Sequence, residues 1–288
     1  RMSGFREASL TCPQVFGGDI FSGCTHGGCQ WWCFCREMEE ELYSKYYDGW
    51  TRDLVRPCDP EEFRKLFDRA FGTDKPSDNW FIKCLRHKLP FNMGSKAETF
   101  CREDFNENIV VKVLEIFKEY KVPMILETKS HYVGLQKYMD ILKDMDIVII
   151  VAVMGGSDTL NYKLEPNCPP PSMRWALVKE LNAKGIKTGV RWEPILIGIN
   201  STDEMLEDYA KNALRSGAFH VSFYNYRSSN PKRAQIEFES RGFNYIRLLE
   251  NNLDEGWRKV GSKFLSLLQK YGVRASSPDF INFPFDSS

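Results

Sequence analysis

The sequence predicts an α/β fold: a single domain forming a partial (β/α)6 barrel on a mostly parallel sheet. Three observations carry this. Short apolar runs alternate with amphipathic helical stretches, the pacing of βα units. Six such strands are legible, short of the eight that close a full barrel, and right-handed crossovers would roll them into a sheet that is open or partly closed. The 288 residues also suffice for one large core, since surface scaling buries roughly 74% of what the open chain exposes. No internal repeat, low-complexity tract or linker divides the chain.

In order, Val15–Phe21 reads as the first strand and runs into a Gly-rich cysteine loop. A charge-dense helix is expected from Arg36 through about Arg56. Asp59 opens the next as N-cap, with Pro60 at N1 and Glu62 at the capping-box position, and Phe63, Leu66, Phe67, Ala70 and Phe71 share one face. Leu89–Met93 is a strand that turns at Gly94, Ile109–Tyr120 a helix, Pro123–Thr128 a strand and Leu135–Leu142 a helix. Ile147–Met154 is rich in β-branched residues with no polar alternation, which fits a parallel strand covered on both faces. The helix Ser172–Leu181, the strand Ile186–Trp192, the helix Thr202–Leu214 and the strand Phe219–Phe223 complete a core of about residues 15–225. Helices near Lys232–Glu239 and Trp257–Tyr271 make a C-terminal helical extension, 226–288, extended from Ala275 onward.

Apolar residues make up 42% and charged residues 27%, and 39 basic residues balance 39 acidic ones. A net charge of zero argues against a chain held to nucleic acid by bulk charge, leaving only a local basic stripe such as Arg227, Lys232 and Arg233. The longest apolar run, Ile147–Met154, is too short to span a bilayer, and no apolar signal segment follows the N-terminus. A cytoplasmic protein without a membrane partner is expected.

The nine cysteines are odd in number, and four of them, Cys24, Cys29, Cys33 and Cys35, fall in one loop. Cys12, Cys58, Cys84, Cys101 and Cys168 are scattered. In a reducing compartment such a cluster reads as a metal site rather than a disulfide framework. Tetrahedral zinc would be satisfied by the four thiolates, or with His26 substituting for one, but no second CxxC knuckle appears. An iron–sulfur cube held by three thiolates leaves one iron open, and an open position is what lets a metal site bind and activate a substrate.

The segments Gly23-Cys24-Thr25-His26-Gly27 and Trp32-Cys33-Phe34 are followed by Leu89-Pro90-Phe91-Asn92-Met93-Gly94-Ser95 with Glu98. Then come Leu126-Glu127-Thr128-Lys129-Ser130, Glu165-Pro166 through Pro171-Ser172 and Arg174, and Gly185-Ile186, Pro194-Ile195 and Gly198-Ile199-Asn200. In this order, over roughly Val15–Phe223, the chain resembles the radical S-adenosylmethionine superfamily and its spore photoproduct lyase-like branch. One feature departs: the superfamily spacing is CxxxCxxC, whereas here the gaps are four, three and one residues.

The resemblance implies a [4Fe–4S] cluster on Cys24, Cys29 and Cys33, with Cys35 as alternate ligand; Cys29, Cys33 and Cys35, or Cys24, Cys29 and Cys35, are the other triples. It implies S-adenosylmethionine as second cofactor, cleaved reductively to a 5′-deoxyadenosyl radical that takes hydrogen from a substrate. A flavodoxin- or ferredoxin-like electron donor is the implied partner. Lys129 would pair with the methionyl carboxylate, Ser95 or Ser130 would donate hydrogen bonds, the Gly94–Ser95 turn and Glu98 would hold the amine, and Gly155 with Gly156 would admit adenine. Arg174 and Asn200 are further cofactor-binding candidates. Cys101 and Tyr224 are candidates for returning a hydrogen or relaying a radical. Trp31, Trp32 and Trp192 either stack a base or belong to the core. A nucleobase, a peptide or a small metabolite remains open as substrate, as does cleavage of the other carbon–sulfur bond with aminocarboxypropyl transfer. The competing reading is a non-catalytic zinc- or cluster-containing module that binds nucleic acid or protein.

Overall fold

Ten strands appear in the computed structural model, which describes residues 6–7, 16–24, 29–33, 35–37, 54–73, 75–228, 230–246, 248 and 254–277. They are β1 (Arg6–Glu7), β2 (Phe16–Gly18), β3 (Phe21–Ser22), β4 (Arg56–Pro57), β5 (Phe91–Met93), β6 (Met124–Thr128), β7 (Ile147–Ala152), β8 (Thr188–Ile195), β9 (Val221–Asn225) and β10 (Ala275–Ser276). Eight form one sheet in the order β1-β2-β5-β6-β7-β8-β9-β10. β1 is antiparallel to β2 and every other pairing is parallel. β3 and β4 make a separate antiparallel ribbon. The six expected strands are therefore β2, β5, β6, β7, β8 and β9, in sequence order across the sheet, as right-handed βα units lay them down. β10 extends them with residues from the C-terminal extension.

The labelled helices are α1 (Pro60–Phe71), α2 (Trp80–Arg86), α3 (Ile109–Glu119), α4 (Gln136–Leu142), α5 (Asp158–Leu164), α6 (Pro171–Ala183), α7 (Asp203–Arg215), α8 (Pro231–Ser240) and α9 (Asp254–Lys270). α1 starts as its sequence dictates: the Asp59 carboxylate accepts from the Glu61 amide at 3.0 Å and Pro60 occupies the first turn. Its Phe63, Phe67 and Ala70 are buried. α2 and α5, each seven residues long, are absent from the sequence expectation. The helix expected to reach Arg56 does not do so: Arg56 pairs with Ser22 across β3 and β4, and only Cys35–Glu37 of its beginning falls among the described residues.

Four of the six residues of β7 are buried, with Ile149 and Val151 fully inaccessible, as expected of a strand covered on both faces. The core has two aromatic nodes. Near β2 and β5, Phe16, Phe63, Phe67, Phe91 and Phe117 pack at ring separations of 4.8–6.0 Å. Towards β8 and β9, Trp192 stacks on Tyr209 at 4.4 Å, with Phe264 of α9 against both rings. A smaller cluster joins Cys29, Trp31 and Trp32 to Leu164 and Phe238 of α8, seating the cysteine loop on the body of the domain. Among the described residues no helix is long and apolar enough to cross a membrane.

Candidate functional site

The parallel strands end on one side of the sheet, where α/β proteins gather side chains from several strands around a crevice. Here that crevice is a cavity of about 350 Å³, within the range of small-molecule sites. It is lined by the ends of β6 to β9, the turn after β5, and the cysteine loop. Cys24, Cys29, Cys33 and Cys35 all lie on its wall, and none of the four is in a disulfide. Cys29 is hydrogen-bonded with Cys33, and that contact together with burial raises the Cys29 thiol well above its ordinary pKa. Among the described residues no three His, Cys, Asp or Glu side chains converge as ligands of a single ion. The donor set on this wall is all thiol, the chemistry by which iron–sulfur clusters are held. His26 lies outside the described residues.

The loop is pinned from behind. The indole N–H groups of Trp31 and Trp32 both donate to the Leu164 carbonyl, at 3.1 and 2.8 Å. Both tryptophans are buried; Trp31 packs in the core against Phe238 at 4.9 Å, and Trp32 also lines the cavity. The next residue, Glu165, is fully buried, and its two oxygens take Lys129 Nζ and Arg174 Nη2, each at 2.6 Å. Lys129 also lies over the Trp32 ring, 4.7 Å from its centroid, on the cavity wall. Burial disfavours the Lys129 charge, but Cys29, Glu165 and Cys168 outweigh it and raise its pKa. Burial likewise opposes ionisation of Glu165, and the two cations overcome it, holding the carboxyl below its usual range.

Across the turn after β5, Gly94 sits at φ +82°, and a Cβ there would stand 2.1 Å from the Glu127 carbonyl oxygen. Only glycine permits that approach at this φ. Asp19, at the end of β2, accepts from the Gly94 amide at 3.1 Å and the Lys96 amide at 3.4 Å, and so shapes the turn. Ser95 Oγ is buried with no partner, and the Ser95 carbonyl accepts from the Cys35 thiol at 3.7 Å. Glu98 accepts from Phe100 N, Thr128 Oγ1 and Lys129 N at 3.0, 2.6 and 2.8 Å. A carboxylate offers about four lone-pair sites, so Glu98 ties the turn to β6 and keeps acceptor capacity at the cavity.

The opposite wall sets Tyr224, a candidate of the sequence reading, beside Arg191, Glu193 and Asn225, which that reading did not select. Arg191 on β8 donates to Glu127 on β6 at 2.6 Å and lies 3.6 Å from Glu193. A register shift between Trp192 and Ile195 interrupts the β8–β9 pairing, and such irregularities re-aim side chains; Glu193 and Pro194 both line the cavity. Tyr224, Asn225 and Arg227 follow from β9. The Arg227 guanidinium lies 4.4 Å from the Tyr224 ring centroid, and Asn225 Oδ1 is buried without a partner. The missed signal was charge inside apolar strands: Glu127 in Met-Ile-Leu-Glu-Thr and Arg191 in Val-Arg-Trp.

The structure thus gathers Cys24, Cys29, Cys33, Cys35, Gly94, Ser95, Glu98, Lys129 and Tyr224 around one cavity. Five candidates lie off its wall. Arg174 is fully buried, with its remaining N–H groups on the carbonyls of Pro169 and Ala152 and on Asn161 Oδ1, each at 2.7 Å. Ser130 caps the turn after β6, its hydroxyl accepting from the Tyr132 amide at 3.1 Å. Asn200 is buried as a loop staple, accepting from the Leu196 amide at 2.7 Å. Gly155 makes room for a side chain rather than a ligand, since a Cβ there would stand 1.9 Å from the Trp192 ring. Cys101 is buried, and burial and then Glu103 raise its thiol, so it behaves as a small hydrophobe.

No protein-family model and no curated protein sequence matches the chain. Solved structures do. A spore photoproduct lyase complexed with dinucleoside spore photoproduct is 14% identical with a TM-score of 0.67, covering 96% of this chain and 79% of that one. A mutant of the lyase with bound AdoMet and dinucleoside spore photoproduct gives 0.65 at 14% identity, covering 95% and 78%. SuiB from Streptococcus suis, bound to precursor peptide SuiA, gives 0.56 at 12% identity, covering 89% of this chain and 46% of SuiB. Both proteins are radical S-adenosylmethionine enzymes. The chain spans less than half of SuiB and about four-fifths of the lyase, and it shares their fold.

Proposed function

We propose that this chain is a radical S-adenosylmethionine enzyme whose cysteine loop holds a [4Fe–4S] cluster through Cys24, Cys29 and Cys33. The observation that carries the reading is the gathering of these thiols with Ser95, Glu98 and Lys129 on one cavity at the carboxyl ends of the strands. Bound there, the cluster and S-adenosylmethionine supply an electron and a 5′-deoxyadenosyl radical, chemistry that belongs to the cofactors. The chain's own residues bind and orient. Lys129 offers the cation for the methionyl carboxylate, Ser95 an uncommitted hydroxyl, and Glu98 its remaining acceptor capacity for the amine. Loading the loop requires Cys29 as thiolate, so cluster assembly releases its proton. Trp31 and Trp32, docked on Leu164, keep the loop from folding away from the cavity. The substrate, a nucleobase or small metabolite, meets the β8–β9 wall, where Arg191, Glu193, Tyr224 and Asn225 supply its polar contacts. A flavodoxin- or ferredoxin-like donor in a reducing cytoplasm completes the proposal.

Anaerobic reconstitution followed by iron, sulfide and zinc analysis, then addition of S-adenosylmethionine and a reductant, tests this directly. Four irons per chain and release of 5′-deoxyadenosine are expected. Stoichiometric zinc, or a cluster indifferent to S-adenosylmethionine, would overturn the reading in favour of a non-catalytic binding module. Release of methylthioadenosine would assign the other carbon–sulfur bond. Single replacement of Cys24, Cys29 and Cys33 by Ala is expected to lose the full cluster while Cys35→Ala keeps it. A full cluster in Cys33→Ala would move the third ligand to Cys35.

A further inference from the structure

A lysine at a strand end has a long flexible stem and a strongly hydrated head, and turns to water unless something holds it. Lys129 is held. Its Nζ lies 2.6 Å from Glu165 Oε1 and 4.7 Å from the Trp32 ring centroid. Glu165 in turn has no freedom, because its second oxygen takes Arg174 at 2.6 Å and both side chains are fully inaccessible. Arg174 is fixed by three further bonds to the end of β7, to α5 and to the segment before α6. Immediately before Glu165, the Leu164 carbonyl accepts both indoles of the cysteine loop. Two consecutive residues therefore anchor the thiol-bearing loop and the cation that stands beside it.

We propose that Glu165, clamped by Arg174, is a positioning residue that fixes the Lys129 ammonium at the thiol wall. Leu164 and Glu165 together then hold that cation and the cysteine loop in one register. Lys129 is thereby presented to an incoming carboxylate already oriented, and the ligand does not have to order it on binding. This rests on the reading of Lys129 as the cofactor-carboxylate contact, and it adds what determines where that contact stands. Glu165 touches no ligand in this scheme; it acts through Lys129.

The test is a cycle of Glu165→Gln, Lys129→Met and the double variant in the reconstituted protein. Two readouts are used: iron per chain, and S-adenosylmethionine binding by equilibrium dialysis. Each single variant is expected to keep its iron and to bind S-adenosylmethionine about tenfold more weakly, the order of one charge-assisted contact. The double variant is expected to bind no more weakly than Lys129→Met. A purely structural Glu165 predicts losses that multiply, and either that outcome or unchanged binding in Glu165→Gln overturns the proposal. Should Glu165→Gln not fold, Glu165→Asp keeps a charge for Arg174 but withdraws from Lys129, and the same weakening is expected. The metal-free chain gives a readout independent of any cofactor: acetic anhydride labelling of Lys129, mapped by mass spectrometry against the exposed Lys179. Faster labelling of Lys129 in Glu165→Asp than in the wild type is expected, and equal rates overturn the proposal. A wild-type chain that binds neither iron nor S-adenosylmethionine would overturn the enzyme reading instead, and the labelling comparison would still decide the role of Glu165.

Discussion

The two walls of the cavity are built on different principles. On the thiol side, Arg174, Glu165 and Lys129 form a chain of charges in which Arg174 and Glu165 are fully inaccessible and tied into several elements. On the β8–β9 side, Arg191 and Glu193 stay 24% and 46% exposed, and Asn225 carries a buried oxygen with no partner. A wall whose charges are paired with one another around a buried carboxylate is suited to one invariant group. A wall with partly hydrated charges and an unused acceptor is suited to a substrate that supplies the missing partners. The most direct way to break this contrast is to remove one cation from each side. Arg174→Met leaves a buried carboxylate short of a partner and is expected to cost about 3–5 kcal/mol. Arg191→Met takes a 24% exposed cation from the buried Glu127 and the exposed Glu193, and is expected to cost less, about 1.5–3 kcal/mol, the worth of a charged hydrogen bond. Urea denaturation of the metal-free proteins reads both, and equal losses would dissolve the distinction.

A second prediction concerns what lies behind the closed wall. Gly155 follows β7, and any side chain there collides with the Trp192 ring, itself fully buried against Tyr209 and Phe264. Gly155→Ala is expected to destabilise by about 1–3 kcal/mol through overpacking. Adding Trp192→Phe, which withdraws the clashing edge, is expected to recover part of that loss. A fall in S-adenosylmethionine affinity without loss of stability would instead restore Gly155 as a ligand-approach residue.

That glycine shows where sequence reading stops. The six central strands, the cap at Asp59 and the buried character of β7 were legible because periodicity and capping are local properties. The thiol cluster was legible because its donors lie on one loop. Arg174 stood out as a cofactor-binding candidate because a cation in the first turn opposes the helix dipole. The sequence carried no sign that its partner is Glu165 rather than a cofactor, because that pairing depends on how α6 packs beneath β7. Gly155 was noticed for its permissiveness, but Trp192, 37 positions later, decides what the permissiveness is for. Glu127 and Arg191 lie 64 residues apart on strands separated by β7. Only the assembled sheet makes them one site.

The smallest expected effect separates the two walls by pH. Glu165 has its pKa lowered from 4.5, so the stability it contributes is fully present above 4.5 and is lost as pH falls through the folded value. Lys129 has its pKa raised above 10.5, so its contribution is fully present below 10.5 and is lost as pH rises through the folded value. The thiol wall is therefore indifferent to pH across the neutral range. Behind the open wall, His220 has its pKa lowered from 6.5 by burial and then by Arg191 and Arg274. Below 6.5 the unfolded chain takes up this proton before the folded one does, so stability declines as pH falls from 6.5 towards the folded value. His220→Gln is expected to flatten that part of the decline in urea midpoints measured between pH 7 and 5, whereas Lys129→Met is expected to leave the slope as it is in the wild type. If the Lys129 variant changes the slope in this window and the His220 variant does not, the pH-sensitive wall is the one that carries the thiols, and the contrast between the two sides is reversed.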